Sequence, residues 1–158
     1  MKKIRKTLFT GLLVTALTVP TVALADEVEV DGYGEPDPYA GVDLPEEDVE
    51  HMQAGDGFTT FANPRVWGST TVQKGTSYKG WAKTNANTNL DQIRAVAKLY
   101  YRGGKIAQGA DTRRNHNYAG AMFDKANVGL TRDHYAAGEH IGRKSGYKDL
   151  TFNTRKSY

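Results

Sequence analysis

Hydrophobic and polar positions alternate with period two along several runs of the second half of the chain. Between residues 92 and 101, Ile93, Ala95, Ala97, Leu99 and Tyr101 fall on one face, while Gln92, Arg94, Val96, Lys98 and Tyr100 fall on the other. Such alternation marks a strand with one buried face. Gly103-Gly104 follows at once and accepts positive φ, which predicts a tight turn with Lys105–Ala110 returning. Lys74-Gly75-Thr76 likewise separates Val66–Gln73 from Ser77–Lys83, and Ser145-Gly146 separates His134–Arg143 from Tyr147–Arg155, where Leu150 and Phe152 share a face. Asn117–Lys125 supplies a further strand. About seven short strands at this spacing predict an all-β fold, an antiparallel β-sandwich of Ig-like type over residues 58–158. One stretch also fits a helix: Leu90, Ile93, Ala97, Tyr100 and Tyr101 form a helical stripe, with Asn89 as a cap and Gln92 three residues on. The Gly-Gly turn and the Tyr-Tyr ending favour the strand.

The predicted interior is thin. Leu, Ile, Val and Phe make up 15 of the 108 residues from 51 to 158, a composition that by itself points towards disorder. Two Trp and seven Tyr in the same segment offset this, since each ring buries roughly 150–250 Å². The expected core is Phe58, Phe61, Val66, Val72, Trp81, Ile93, Ala97, Leu99, Ile106, Phe123, Ile141, Leu150 and Phe152.

The first half of the chain has a different character. Lys2, Lys3, Arg5 and Lys6 precede an uncharged stretch from Thr7 to Ala25, which ends in Ala23-Leu24-Ala25. A basic start, an apolar middle and small residues before a cleavage position predict a secretory signal peptide over 1–25, removed before Asp26. As a membrane anchor the stretch is near the minimum of about 17–20 residues, and threonines, Gly11 and Pro20 dilute it. Leu44-Pro45-Glu46 shares only its first two letters with a sortase signal, and no hydrophobic tail follows it.

Charge then divides the exported part. Residues 26–50 hold 11 acidic side chains and no Lys or Arg, interrupted by three prolines and three glycines. Such a segment buries too little apolar surface to offset its ordering entropy, so 26–57 reads as an acidic, Pro/Gly-rich arm, mostly disordered. Asp43-Leu-Pro-Glu46 fits an N-cap with proline just inside, which allows a short helix over 44–53. Residues 51–158 carry 17 Lys+Arg against 7 Asp+Glu, a net of +10. The arm is either a mask over this basic surface or a solvating tail, and salt screening beyond about 8–10 Å weakens it as a mask.

The run Arg94-Ala-Val-Ala-Lys-Leu-Tyr-Tyr-Arg-Gly-Gly-Lys-Ile is followed by a polar Asn115–Asn117 patch, an Ala/Phe strand, and a strand with His140 before a Gly turn. This ordering, over about residues 60–158, resembles small exported bacterial β-sandwich proteins of Gram-positive type, for which no activity is established. The resemblance implies a fold and an address and carries no site residues.

Candidate chemistry is sparse. The chain has no cysteine, which removes disulfides, thiolate metal sites and a cysteine nucleophile. Glu27-x-Glu29-x-Asp31-Gly32 imitates the start of a calcium loop, but Pro38 stands where its bidentate Glu belongs. Asp133-His134-Tyr-Ala-Ala-Gly-Glu139-His140 lacks the spacing of a zinc-protease helix, and on a strand its two histidines lie about 20 Å apart. Thr131-Arg132-Asp133-His134 resembles the opening of an HNH nuclease motif whose remainder is missing. No Gly-x-Ser-x-Gly elbow and no phosphate-binding glycine loop are present. No cofactor and no metal site are therefore expected, and the histidines read as surface or rim residues. His134 and His140 adjoin Asp133 and Glu139, which makes them candidates for a response to acid.

A binding face is the stronger expectation. The outward side of 93–101 offers Arg94, Lys98 and Tyr100, with Lys79 and Lys83 beside it, Arg102 and Lys105 at the turn, and Arg113 and Arg114 beyond. Cations attract phosphate or carboxylate polymers, and an exposed tyrosine stacks on a ring. The sequence thus reads as a secreted, extracellular, cell-wall-associated module without enzymatic activity. It is expected to engage an anionic polymer or cell-surface component, with intracellular nucleic acid disfavoured and no membrane span once the leader is cleaved. A secreted antimicrobial or toxin-like effector and a small hydrolase are the alternatives.

Overall fold

The computed structural model describes residues 37–56, 63–126 and 134–158. They form six strands and no helix: β1 (Glu47–His51), β2 (Arg65–Lys74), β3 (Ser77–Tyr101), β4 (Gly104–Ala126), β5 (His134–Arg143) and β6 (Leu150–Ser157). All belong to one antiparallel sheet. β4 runs along the whole of β3 on one edge; on the other edge β2 pairs with its first half and β5 with its second. β1 extends the sheet beyond β2, and β6 extends it beyond β5.

β3 and β4 are far longer than the expected short strands, because the asparagine-rich stretches bend them without ending them. The β3–β4 register shifts between Asn85 and Leu90 of β3, across from Asn117 of β4, and Asn115 two residues before it takes φ 51°. A bulge of this kind kinks both strands while pairing continues on either side, and asparagine tolerates the left-handed conformation. The inner faces of the two halves then meet, with Gly68 of β2 against the His140 ring of β5 and Thr70 bonded to Thr154 of β6. One sheet of six strands, folded over on itself, thus stands where about seven short strands were expected.

The sheet is nearly closed. On one side the segment before β1 bridges the halves: the Pro45 carbonyl accepts from Arg155 N–H at 2.8 Å and the Glu46 carbonyl from Thr70 N–H at 3.0 Å. On the other side the two halves of β4 approach, and the Asp111 carboxylate accepts from Gly120 N–H at 2.9 Å. The helix expected over 44–53 is replaced by β1, because the chain here fills an open sheet edge and satisfies its backbone groups there. The described part of the acidic arm is accordingly laced into the fold. Asp37 N–H reaches the Gly103 carbonyl and Gly55 N–H reaches the Gly146 carbonyl, while Met52 is fully buried. Residues 1–36, and with them the expected leader, lie outside the described residues.

The stretch 93–101 is a strand, and Ile93, Ala95, Ala97 and Leu99 are at most 1 % exposed. Its turn lies one residue earlier than expected. Arg102 and Gly103 take φ 49° and 79°, and Gly104 already pairs with Tyr101. Of the expected core, Val66, Phe123 and Phe152 are also buried, and Val72, Ile106 and Leu150 pack at its margin. Trp81 and Ile141 are only partly buried, on outward positions of their strands; Phe58 and Phe61 lie outside the described residues. Tyr78, Leu90 and Met52 take the large interior positions instead.

Candidate functional site

The interior between the two halves is polar at its centre. His140 is fully buried, with Thr84 and Thr154 fully buried beside it and Thr70 at 2 % exposure. Thr84 Oγ1 donates to the Arg94 carbonyl at 2.8 Å, so it accepts from His140 Nδ1–H at 2.9 Å. The ring then accepts at Nε2 from the Thr154 hydroxyl at 2.8 Å, and Thr154 accepts from Thr70 at 2.6 Å. Every member is satisfied with a neutral, Nδ1-protonated imidazole, the state a buried network requires. Burial holds the His140 pKa down to about 4, against a smaller upward pull from Glu139. Gly68 makes the space, since a Cβ there would overlap the imidazole. The expected rim position of the histidines is therefore corrected. His140 is interior, and His134 is buried between the rings of Tyr78 at 4.7 Å and Tyr158 at 4.8 Å. Fully buried and bonded at both ring nitrogens, His140 anchors a structural centre.

The outward face of the β5–β6 half holds the first set of expected binding residues, and it is covered. Tyr100 is 2 % exposed and stacks on Tyr135 at 5.2 Å. Tyr39 from the arm meets Tyr100 edge-on at 5.9 Å and donates its hydroxyl to Asn153 Oδ1. Lys98 is paired with Glu139 at 2.8 Å, and the Arg155 guanidinium lies 3.7 Å from the centre of the Tyr135 ring. Burial raises the Tyr39 and Tyr135 hydroxyls above the ordinary tyrosine pKa; Lys98 opposes the shift at Tyr39, and Asp37 adds to it at Tyr135. Arg94 is only partly exposed on the same face. Tyr100, expected as an exposed stacking surface, is thus withdrawn from solvent by a segment expected to be disordered. Arg102 sits exposed at the turn over the Tyr101 ring, and Lys105 bonds Gln108.

The outward face of the other half is open. Register places Trp67, Asn85 and Tyr118 in one row across β2, β3 and β4, then Ser69, Lys83 and Gly120, then Thr71, Trp81 and Met122. Lys83 therefore stands among three aromatic rings on neighbouring outward positions. It is exposed and has no ion pair among the described residues. Met122 is 46 % exposed, as is Val49 of β1, whose outward position continues the first row. Tyr118 lies down along its strand over Gly120, where a Cβ would strike its hydroxyl, so the missing side chain leaves room for the ring. The Arg65 guanidinium lies 5.6 Å from the Trp67 ring, and that of Arg113 lies 5.3 Å from the Tyr118 ring while bonded to Asp111. Lys79 is neutralised by Asp124 at the margin, and Arg114 is exposed on β4.

Of the nine expected binding residues, Lys79, Lys83 and Arg113 border this open face, Arg94, Lys98, Tyr100 and Lys105 project from the other half, Arg102 caps the β3–β4 turn, and Arg114 is exposed on β4. Trp67, Trp81 and Tyr118 were not expected there. The signal for them was the alternation of Tyr78, Gly80, Ala82 and Thr84 with the residues between, which sends Trp81 outward. Among the described residues no group of His, Asp and Glu side chains is placed to hold a metal ion. Comparison with protein-family models, with curated proteins and with solved structures gives no match.

Proposed function

We propose that this protein is a secreted binding module that engages an anionic extracellular polymer through the outward face of β2, β3 and the second half of β4. The basic, apolar and small-residue pattern of residues 1–25 supports export. The observation that carries the binding reading is Lys83, exposed and without an ion pair among the described residues, set among Trp67, Trp81 and Tyr118. The three rings are partly exposed, Val49 and Met122 beside them are each 46 % exposed, and apolar surface gathered on one face in this way marks an interaction site. Arg65 adds positive charge at its border, while Arg113 is balanced by Asp111, so the favoured partner is negative.

The test is retention of the purified protein on immobilised polyanions at rising salt. Retention should weaken steadily with salt, and Lys83→Gln with Arg65→Gln should elute earlier than the parent. Equal elution of the parent and the double variant would remove this face from the function. A reading as a small hydrolase finds no support in the placement of His140, which is enclosed and fully bonded.

A further inference from the structure

We infer that the polymer taken by this face is a carboxylated polysaccharide, whose sugar rings lie on Trp67, Trp81 and Tyr118 while its carboxylates meet Lys83. This inference rests on the binding reading above and narrows it. A polyol-phosphate chain would need cations alone and has no ring to stack. The face offers more than cations: three aromatic side chains on outward positions of a twisted but continuous sheet, with one of them lying flat because Gly120 leaves it room. Trp67 and Tyr118 are separated by one intervening strand, which places them about 10 Å apart, and Trp81 is four residues along β3 from their row, about 13 Å. These separations match the reach of a disaccharide, so successive rings along a chain can engage different aromatics.

The polar residues between the rings suit the same ligand. Asn85 lies between Trp67 and Tyr118 in the row, and Ser69 lies beside Lys83. An amide and a hydroxyl donate to and accept from sugar hydroxyls, whereas the one central ammonium selects a carboxylate on an alternate ring. Charge complementarity favours an acidic over a neutral glycan. Lys83 and Arg65 are the cations of the face without an ion pair among the described residues; its acids are Glu47 at the β1 edge, Asp124, already paired with Lys79, and Asp111, already paired with Arg113. The flat, open form favours a long chain lying across the strands over a small molecule, which would require a concavity.

Three soluble probes test this: polygalacturonate, its fully methyl-esterified form, and poly(glycerol phosphate), each titrated into the purified protein. Both tryptophans of the chain stand on this face, so their fluorescence reports binding without any variant. Polygalacturonate should bind and shift the emission. Trp67→Ala and Trp81→Ala should each weaken it about tenfold, the size of one lost aromatic contact, with Trp81→Phe restoring most of the loss. Lys83→Gln should weaken polygalacturonate and leave the ester unaffected. Equal binding of poly(glycerol phosphate), undiminished in the tryptophan variants, would overturn the ring-stacking inference and leave the anionic-polymer reading standing. Equal binding of the ester would overturn the carboxylate. Failure to bind any of the three would overturn both readings together.

Discussion

On the outward face of the β5–β6 half, Tyr100 is 2 % exposed under Tyr39 and against Tyr135, whereas on the β2–β4 half Met122 stays 46 % exposed beside Trp81. The two faces start from the same kind of strand, with aromatics and lysines on alternate positions. They differ in what crosses them. The arm carries Tyr39 onto the first, where Lys98 finds Glu139 and Arg155 finds Tyr135, and its described residues reach the second at the β1 edge. A covered aromatic face becomes a second small core, and an uncovered one remains a surface with unspent cations. Alternation along a strand therefore separates inside from outside, but cannot say which outside will be covered by a distant segment.

The largest effect should come from exchanging equivalent aromatics on the two faces. Tyr100→Ala empties a buried site and should cost about 3–5 kcal/mol in denaturant unfolding. Trp81→Ala removes a ring that is already partly in water and should cost about 1 kcal/mol. Similar losses for both would show that the open face is packed as tightly as the covered one.

Acid should strike next, at the interior shared by both halves. His140 has a folded pKa of about 4 against 6.5 in the unfolded chain, so the unfolded state binds more protons between those values. The stability this site contributes is complete above about pH 6.5 and is lost as pH falls through 4, amounting to about 3 kcal/mol. Denaturant midpoints across this range should fall with acid, and His140→Asn should flatten that slope. The neighbouring Glu139 carboxylate opposes the shift from the outward side of β5, and the Lys79 hydrogen bond holds the Asp124 carboxyl below the usual carboxylate range. An unchanged slope in the variant would place the acid response elsewhere. Tyrosine near-ultraviolet dichroism should follow the loss of the covered face, because both tryptophans report only the open one.

How much of this was legible in the residues follows from the same contrast. The strand at 93–101 and the inward set from Ile93 to Leu99 could be read because alternation is local. The continuity of β3 and β4 could not, since Asn85, Asn87 and Asn89 look like a break and act as a bulge once Asn117 lies opposite. The arm misled by composition. Its charge density argues against a core of its own, yet residues 45–51 need only a vacant sheet edge, and that edge exists only in the folded molecule. His140 fell on an inward position between Gly138 and Gly142, but the three threonines of its network come from β2, β3 and β6, and no spacing in the chain announces them. The size of Trp81 argues for the core, whereas the alternation of its neighbours places it outward.

The smallest effect on stability should accompany the most informative effect on binding. Lys83 touches no carboxylate among the described residues, so Lys83→Gln should alter unfolding by no more than about 0.5 kcal/mol. Lys98, its counterpart on the covered face, is bonded to Glu139 with a side chain 15 % exposed, and Lys98→Gln should leave that carboxylate without its ion-pair partner and cost more, about 1–3 kcal/mol. Retention on polyanions should rank them the other way, with the Lys83 variant impaired and the Lys98 variant near the parent. A lysine kept at no benefit to the fold, in the middle of three rings, is best explained by what it meets from outside. Should both variants bind like the parent, the open face has no more claim to a ligand than the covered one.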